Sequence, residues 1–186
     1  MVAFKEGPVV DVIKFCKLDT DKPSAKVLCN LNREVKWFAL ATRAERFVYL
    51  SGGQSTAGTK VSALDTEADT WHDLPDLNHK RHLHASLVHK HRLFVMGGDN
   101  GATFVASVEF IDLGGSAAAW TILTEGSNLL KRAIPAATVV NQDEIAVFGG
   151  LSKGGTKSDG YVVDSNSESI EPALEGDAGF AFRTYN

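Results

Sequence analysis

HRLFVMGGDNG, residues 91–101, is an apolar run that ends abruptly in two glycines. The apolar residues at 93–96 make a short strand, and a Gly-rich segment behind a strand is where phosphate-binding loops form. It is also where a strand simply turns, because Gly accepts backbone angles that other residues resist. The rest of the chain separates these readings. RFVYLSGG closes on Gly53, HRLFVMGG on Gly98 and DEIAVFGG on Gly150, at spacings of 45 and 52 residues.

The similarity extends on both sides of each glycine pair. Ahead of it lies a second apolar segment: VKWFALAT (35–42), HLHASLV (82–88) and AIPAATVV (133–140). Behind it come a polar loop and a strand ending in aspartate, VSALD at Asp65, SVEFID at Asp112 and GYVVD at Asp164. TWHDLP and AWTIL then supply Trp71 and Trp120, with Ile170 in that place in the third copy. Trp37 is out of phase with these and aligns with His82. Four short strands per unit, separated by turn residues and without helical periodicity, predict an all-β array. A repeat of four strands and about 50 residues means blades of a β-propeller.

These units resemble the kelch repeat over about residues 35–174, through an apolar hairpin ending in Gly-Gly, a strand closing on Asp and a Trp in the fourth strand. The residues that carry the resemblance are Gly52, Gly53, Gly97, Gly98, Gly149, Gly150, Trp71 and Trp120. In that family the glycines let neighbouring backbones and aromatic rings approach closely between blades. The expected organisation is a single kelch-type domain: a partial blade at 1–34, blades at 35–77, 80–124 and 131–175, and the leading strand of a further or closing blade at 176–186. Two architectures fit, a partial arc or a small four-bladed ring in which residues 178–185 complete the N-terminal blade. An open arc exposes two sheet edges, which proteins pair or cover. Another chain or the rest of a longer chain would then cap them.

The phosphate-loop reading fails. GGLSKGGTKS (149–158) approaches G-x4-G-K-[ST], but Thr156 intrudes between Gly155 and Lys157, and a strand rather than a helix follows. The same near-miss recurs at Gly53, Gly58, Thr59 and Lys60, which marks it as repeat architecture. A net charge of -4 gives no global basic field for nucleic acid, and no apolar stretch is long enough for a helical membrane span. No leader or glycosylation sequon is visible, so a cytoplasmic setting is the expectation. Cys16 and Cys29 flank the hairpin LDTDKPSA and read as small buried hydrophobes.

NHKRHLHASLVHKHR (78–92) holds five of the six histidines. Strand geometry splits the cluster, since His82 to His89 spans roughly 23 Å at about 3.3 Å per residue. No metal or cofactor is expected. His84 sits where kelch repeats often carry histidine, and a structural role follows from that resemblance. No nucleophile-elbow or zinc-helix motif occurs. Kelch-like copper oxidases need tyrosine and histidine ligands, whereas this chain has only Tyr49, Tyr161 and Tyr185, the first in a core position. Asp65, Asp112 and Asp164 recur at one phase and read as turn supports.

What remains is surface. In an antiparallel meander the second-to-third loops (54–60, 99–106, 151–159) and the crossovers (75–81, 124–132) emerge on one face. Loops on a rigid scaffold commonly carry recognition, and the family resemblance implies protein partners there. The candidate contacts are Gln54, Ser55, His79, Lys80, Arg81, Asp99, Asn100, Lys153, Lys157 and Asp159. The expected function is a non-catalytic protein-interaction module, including a role as a subunit of a larger assembly. The alternatives are the substrate-recognition part of a ubiquitin-ligase adaptor and, third, a kelch-like oxidase or sugar epimerase.

Overall fold

The structure, a computed structural model, describes residues 2–6, 12–19, 24–28, 31–32, 35–56, 58–115, 119–128 and 130–173. All regular elements among them are strands. The N-terminal sheet holds β1 (Val2–Glu6), β2 (Val12–Asp19), β3 (Ser24–Val27) and β4 (Leu31–Asn32). Three four-stranded antiparallel sheets follow, each a meander in chain order. The first is β5 (Ala39–Arg43), β6 (Phe47–Ser51), β7 (Val61–Asp65) and β8 (Thr70–Leu74). The second is β9 (Ala85–His89), β10 (Arg92–Met96), β11 (Ser107–Asp112) and β12 (Thr121–Glu125). In the third, β13 (Ala136–Val139) and β14 (Glu144–Phe148) are followed by a small hairpin, β15 (Leu151–Ser152) and β16 (Gly155–Thr156). β17 (Gly160–Asp164) and β18 (Ser169–Pro172) complete that sheet. This is the four-stranded blade design of a kelch propeller, and among the described residues the sheets form no closed ring.

The sheets pack face to face in series, which explains why the second strands read as unbroken apolar runs. Alternate residues of β10 serve two cores. Leu93 and Val95 pack with Tyr49, Val61 and Ala63 of the preceding sheet. Phe94 and Met96 pack with Ile145, Val147 and Tyr161 of the following one. These four of the five β10 side chains are fully buried, each contributing about 1.5–3 kcal/mol of apolar burial. A third core joins Leu28 and Val35 to Val48, Leu50 and Leu64, with Trp71 against it. Trp120 packs in the core shared with the preceding sheet, and Ile170 occupies the matching place in the third.

The glycine pairs do what the repeat reading requires. A Cβ on Gly52 or Gly97 would lie 2.4 or 2.6 Å from the carbonyl oxygen of Arg81 or Arg132 in the next sheet. The following glycines, Gly53 and Gly98, donate their N–H groups to those same carbonyls at 2.8 Å. Asp65 and Asp164 support turns as expected: Oδ1 of each accepts two backbone N–H groups, those of Glu67 and Ala68 and those of Asn166 and Ser167.

Two details correct the sequence reading. The first strand of the second sheet begins at Ala85 rather than His82, because Leu83 adopts φ 54 and cannot continue a strand. Trp37 and Ile134 adopt φ 54 and 55, so Trp37 is the counterpart of Leu83 rather than of His82. Cys16 lies opposite Val27. Cys29, Tyr185 and the strand expected at 178–185 lie outside the described residues.

Candidate functional site

One face of the array gathers the turns after each glycine pair and the crossovers between sheets. Its centre is a backbone ladder of left-handed residues. The Leu83 N–H donates to the Trp37 carbonyl at 2.9 Å, and the Ile134 N–H to the Leu83 carbonyl at 2.7 Å. Left-handed backbone at such bulky residues is strained by about 1–3 kcal/mol each, so surrounding bonds must impose it. Those bonds are visible beside each residue, where Lys36 bridges Gln54, His82 bridges Asp99 and Ala133 bridges Leu151. The consequence is an apolar surface, since Trp37 is 53% exposed, Ile134 56% and Leu151 43%. Trp37 stacks on His82 with ring centroids 5.6 Å apart.

Lysines border this surface. Lys36, Lys80, Lys131 and Lys153 are exposed, and none has an acidic partner among the described residues. The acids nearby are already engaged. Asp76 pairs with Lys60 at 3.0 Å, and Asp159 with Arg132 at 3.2 Å and Lys157 at 3.7 Å.

Beneath the face lies a buried polar network. Glu109 accepts the Asn78 N–H at 2.8 Å, lies 3.0 Å from Nδ1 of His79 and pairs with Arg81. The Arg81 guanidinium also donates to the Gly97 carbonyl at 2.8 Å and to Oγ of Ser107 at 2.7 Å. Arg132 repeats the arrangement one sheet on, donating to the carbonyls of Gly149 and Asp159 at 3.1 and 3.0 Å. Each arginine thus donates to the carbonyl of the first glycine after its own sheet's second strand, Gly97 or Gly149, and to a carbonyl at the start of the third, Ser107 or Asp159. His84 is equally structural. Its Nε2 meets Oγ of Ser51 at 2.8 Å, and burial, reinforced by the charges of Arg81 and His82, holds the ring well below its usual pKa.

The sequence candidates therefore divide. Gln54, Lys80 and Lys153 are exposed on the face, with Ser55, His79, Asp99, Asn100, Lys157 and Asp159 partly so. Arg81 is a correction: it is fully buried and engaged, so it cannot meet a partner. Asp99 and Asn100 spend side-chain oxygens on their own loop, accepting from Gly101 N–H at 2.6 Å and from Ala102 and Thr103 N–H at 2.9 Å. Reasoning from sequence missed Lys36, Trp37, Lys131, Ile134 and Leu151. The signal lay in the phase of the crossovers, which the misaligned Trp37 concealed. Among the described residues no three His, Cys, Asp or Glu side chains gather as a metal site would require.

The kelch motif model matches residues 80–124, the span of the second sheet with its leading crossover. No curated protein matches the chain. The match falls on the sheet whose glycine pair, closing aspartate and Trp120 first suggested the repeat, and residues 80–124 are a kelch repeat.

Proposed function

We propose that the chain is a non-catalytic interaction module that binds a protein partner through this face. Kelch repeats generally mediate protein interactions, and the face carries a surface suited to one. The observation that carries the reading is the Trp37–Leu83–Ile134 ladder, which leaves Trp37 and Ile134 exposed, beside four exposed lysines with no acidic partner among the described residues on a chain of net charge -4. Scattered exposed apolar residues need no explanation, but a contiguous patch with a charged rim marks interaction surfaces. The chemistry it suits is an extended segment offering an apolar side chain to the ladder and carboxylates to the rim. A cytoplasmic setting and membership of a larger assembly belong to the same reading.

The test is a panel of immobilised acidic peptides with and without a central aromatic residue. Acidic aromatic peptides are expected to bind best. Lys80→Glu with Lys131→Glu is to weaken them at least about tenfold, and Trp37→Ser comparably, with thermal midpoints unchanged. Binding indifferent to both changes would exclude this face.

A further inference from the structure

HKHR, residues 89–92, is the half of the histidine-rich segment that the interaction face leaves unused. It forms the turn between β9 and β10, and alternating strand direction puts that turn at the opposite end of the sheets. Three of its side chains reach the third sheet. Nε2 of His89 meets the Gln142 carbonyl at 2.9 Å. Nζ of Lys90 donates to Oδ1 of Asp143 at 2.9 Å and to Oδ1 of Asn166 at 2.8 Å. Nη1 of Arg92 donates to the Ser165 carbonyl at 3.1 Å.

Between this turn and the third sheet lies a pocket of about 300 Å³, lined by His89, Lys90, His91, Arg92, Ser165 and Asn166. None of the six is acidic. Asp143, which pairs with Lys90, and Asp112 and Glu168, which pair with Arg92, lie outside the lining.

The counterpart gap between the first and second sheets shows what joining two sheets requires. There Arg43 donates to the Leu113 carbonyl at 3.2 Å, as Arg92 does to Ser165, while Arg46 turns back to Asp65 of its own sheet. Register makes Thr66, Leu113 and Ser165 equivalent. The Thr66 hydroxyl donates to the Arg46 carbonyl at 2.8 Å, and Leu113 has no hydroxyl. Ser165 is only 4% exposed, yet its Oγ has no hydrogen-bond partner among the described residues. Buried hydroxyls are rarely left unpaired, because doing so forfeits their hydration. Nη2 of Arg92 and the third N–H of Lys90 are likewise unspent among the described residues.

The geometry points to an oxyanion site in this pocket, suited to a phosphoryl group. Ser165 Oγ, Arg92 Nη2 and Lys90 Nζ are its donors, and charge-assisted bonds from Arg and Lys are the ones phosphate oxygens take best. The volume is at the low end for ligand pockets, which fits a small anion. Asp112, Asp143 and Glu168 hold the two cations in place and weaken their field, so the affinity is moderate.

Titrating the full chain with inorganic phosphate at low ionic strength, followed by amide chemical shifts, tests this. Saturable shifts are expected at residues 90–92 and 165–166, half-complete below about 5 mM. Ser165→Ala is to weaken binding at least about fivefold, and Arg92→Gln at least about tenfold. Arg43→Gln, which removes the equivalent bridge in the other gap, is to leave it unchanged. Should Arg92→Gln fail to fold, Ser165→Ala alone decides. O-phosphoserine in place of phosphate identifies the source. Tighter binding of the ester marks a phosphorylated molecule as occupant and tighter binding of phosphate marks the free ion, and both uphold the site. Shifts that do not saturate, that saturate at other residues, or that Ser165→Ala leaves at full affinity overturn the proposal.

Discussion

The Arg81 guanidinium and the Glu109 carboxylate meet with neither side chain open to solvent. Glu109 also holds the Asn78 N–H and His79, so one buried carboxylate pins the crossover from the first sheet onto the second. Breaking a buried pair leaves an uncompensated charge and costs about 3–5 kcal/mol. Glu109→Gln is accordingly expected to lower stability by roughly that amount, read from the urea midpoint at unchanged slope. Arg81→Met together with Glu109→Met is to recover part of the loss, because both charges go while the Asn78 N–H stays unpaired.

This pair also shows where the sequence stops being legible. The glycines, aspartates and apolar runs recur at fixed phase because each solves a local problem repeated in every sheet. They revealed strand order and core. Arg81 looked like a surface cation since nothing in NHKRHLH marks the one side chain that turns inward, and its partner lies 28 positions away. The sequence phase also misled at Trp37. The left-handed ladder is imposed by hydrogen bonds between sheets, and such tertiary constraints leave no local signature at residues as bulky as Trp, Leu and Ile.

Gly97 and Gly101 separate crowding from backbone preference. Both have positive φ, 64 and 96, but only at Gly97 would a Cβ strike a neighbour, the Arg132 carbonyl at 2.6 Å. Gly101 has nothing within 4 Å. Gly101→Ala therefore pays only for φ, about 1–2 kcal/mol. Gly97→Ala must in addition push the second and third sheets apart, and its thermal midpoint is expected to fall further by several degrees. Equal losses would mean that the close approach is not structural.

Acid should destabilise the fold in two stages. His84 is held neutral by burial, so its folded pKa lies well below 6.5. The unfolded chain takes up that proton first, and stability declines as pH falls below about 6.5. Asp65 is lowered to about 2, mainly by hydrogen bonds from Arg46 and then by the N–H groups of Ala68 and Glu67. Its contribution is complete above the unfolded value near 4 and is lost as pH drops toward 2. Thermal midpoints followed from pH 7 to pH 2 should show both limbs. His84→Phe is expected to flatten the first limb and Asp65→Asn the second.

Trp120 tests whether the fourth-strand aromatic links sheets or merely fills space. Its ring lies in the core shared with the first sheet, and its Nε1–H donates to the Pro75 carbonyl at 2.8 Å. Trp120→Phe keeps most of the apolar contact and loses the hydrogen bond, about 1 kcal/mol together with an unpaired carbonyl. Trp120→Ala also opens a cavity between sheets, about 3–5 kcal/mol. Trp71 is only half-buried against the N-terminal core, so Trp71→Ala should cost less than Trp120→Ala. Urea unfolding of the three variants gives the order Trp120→Ala, Trp71→Ala, Trp120→Phe from most to least destabilised. A Trp120→Ala chain as stable as Trp120→Phe would show that the ring contributes little beyond its bond to Pro75.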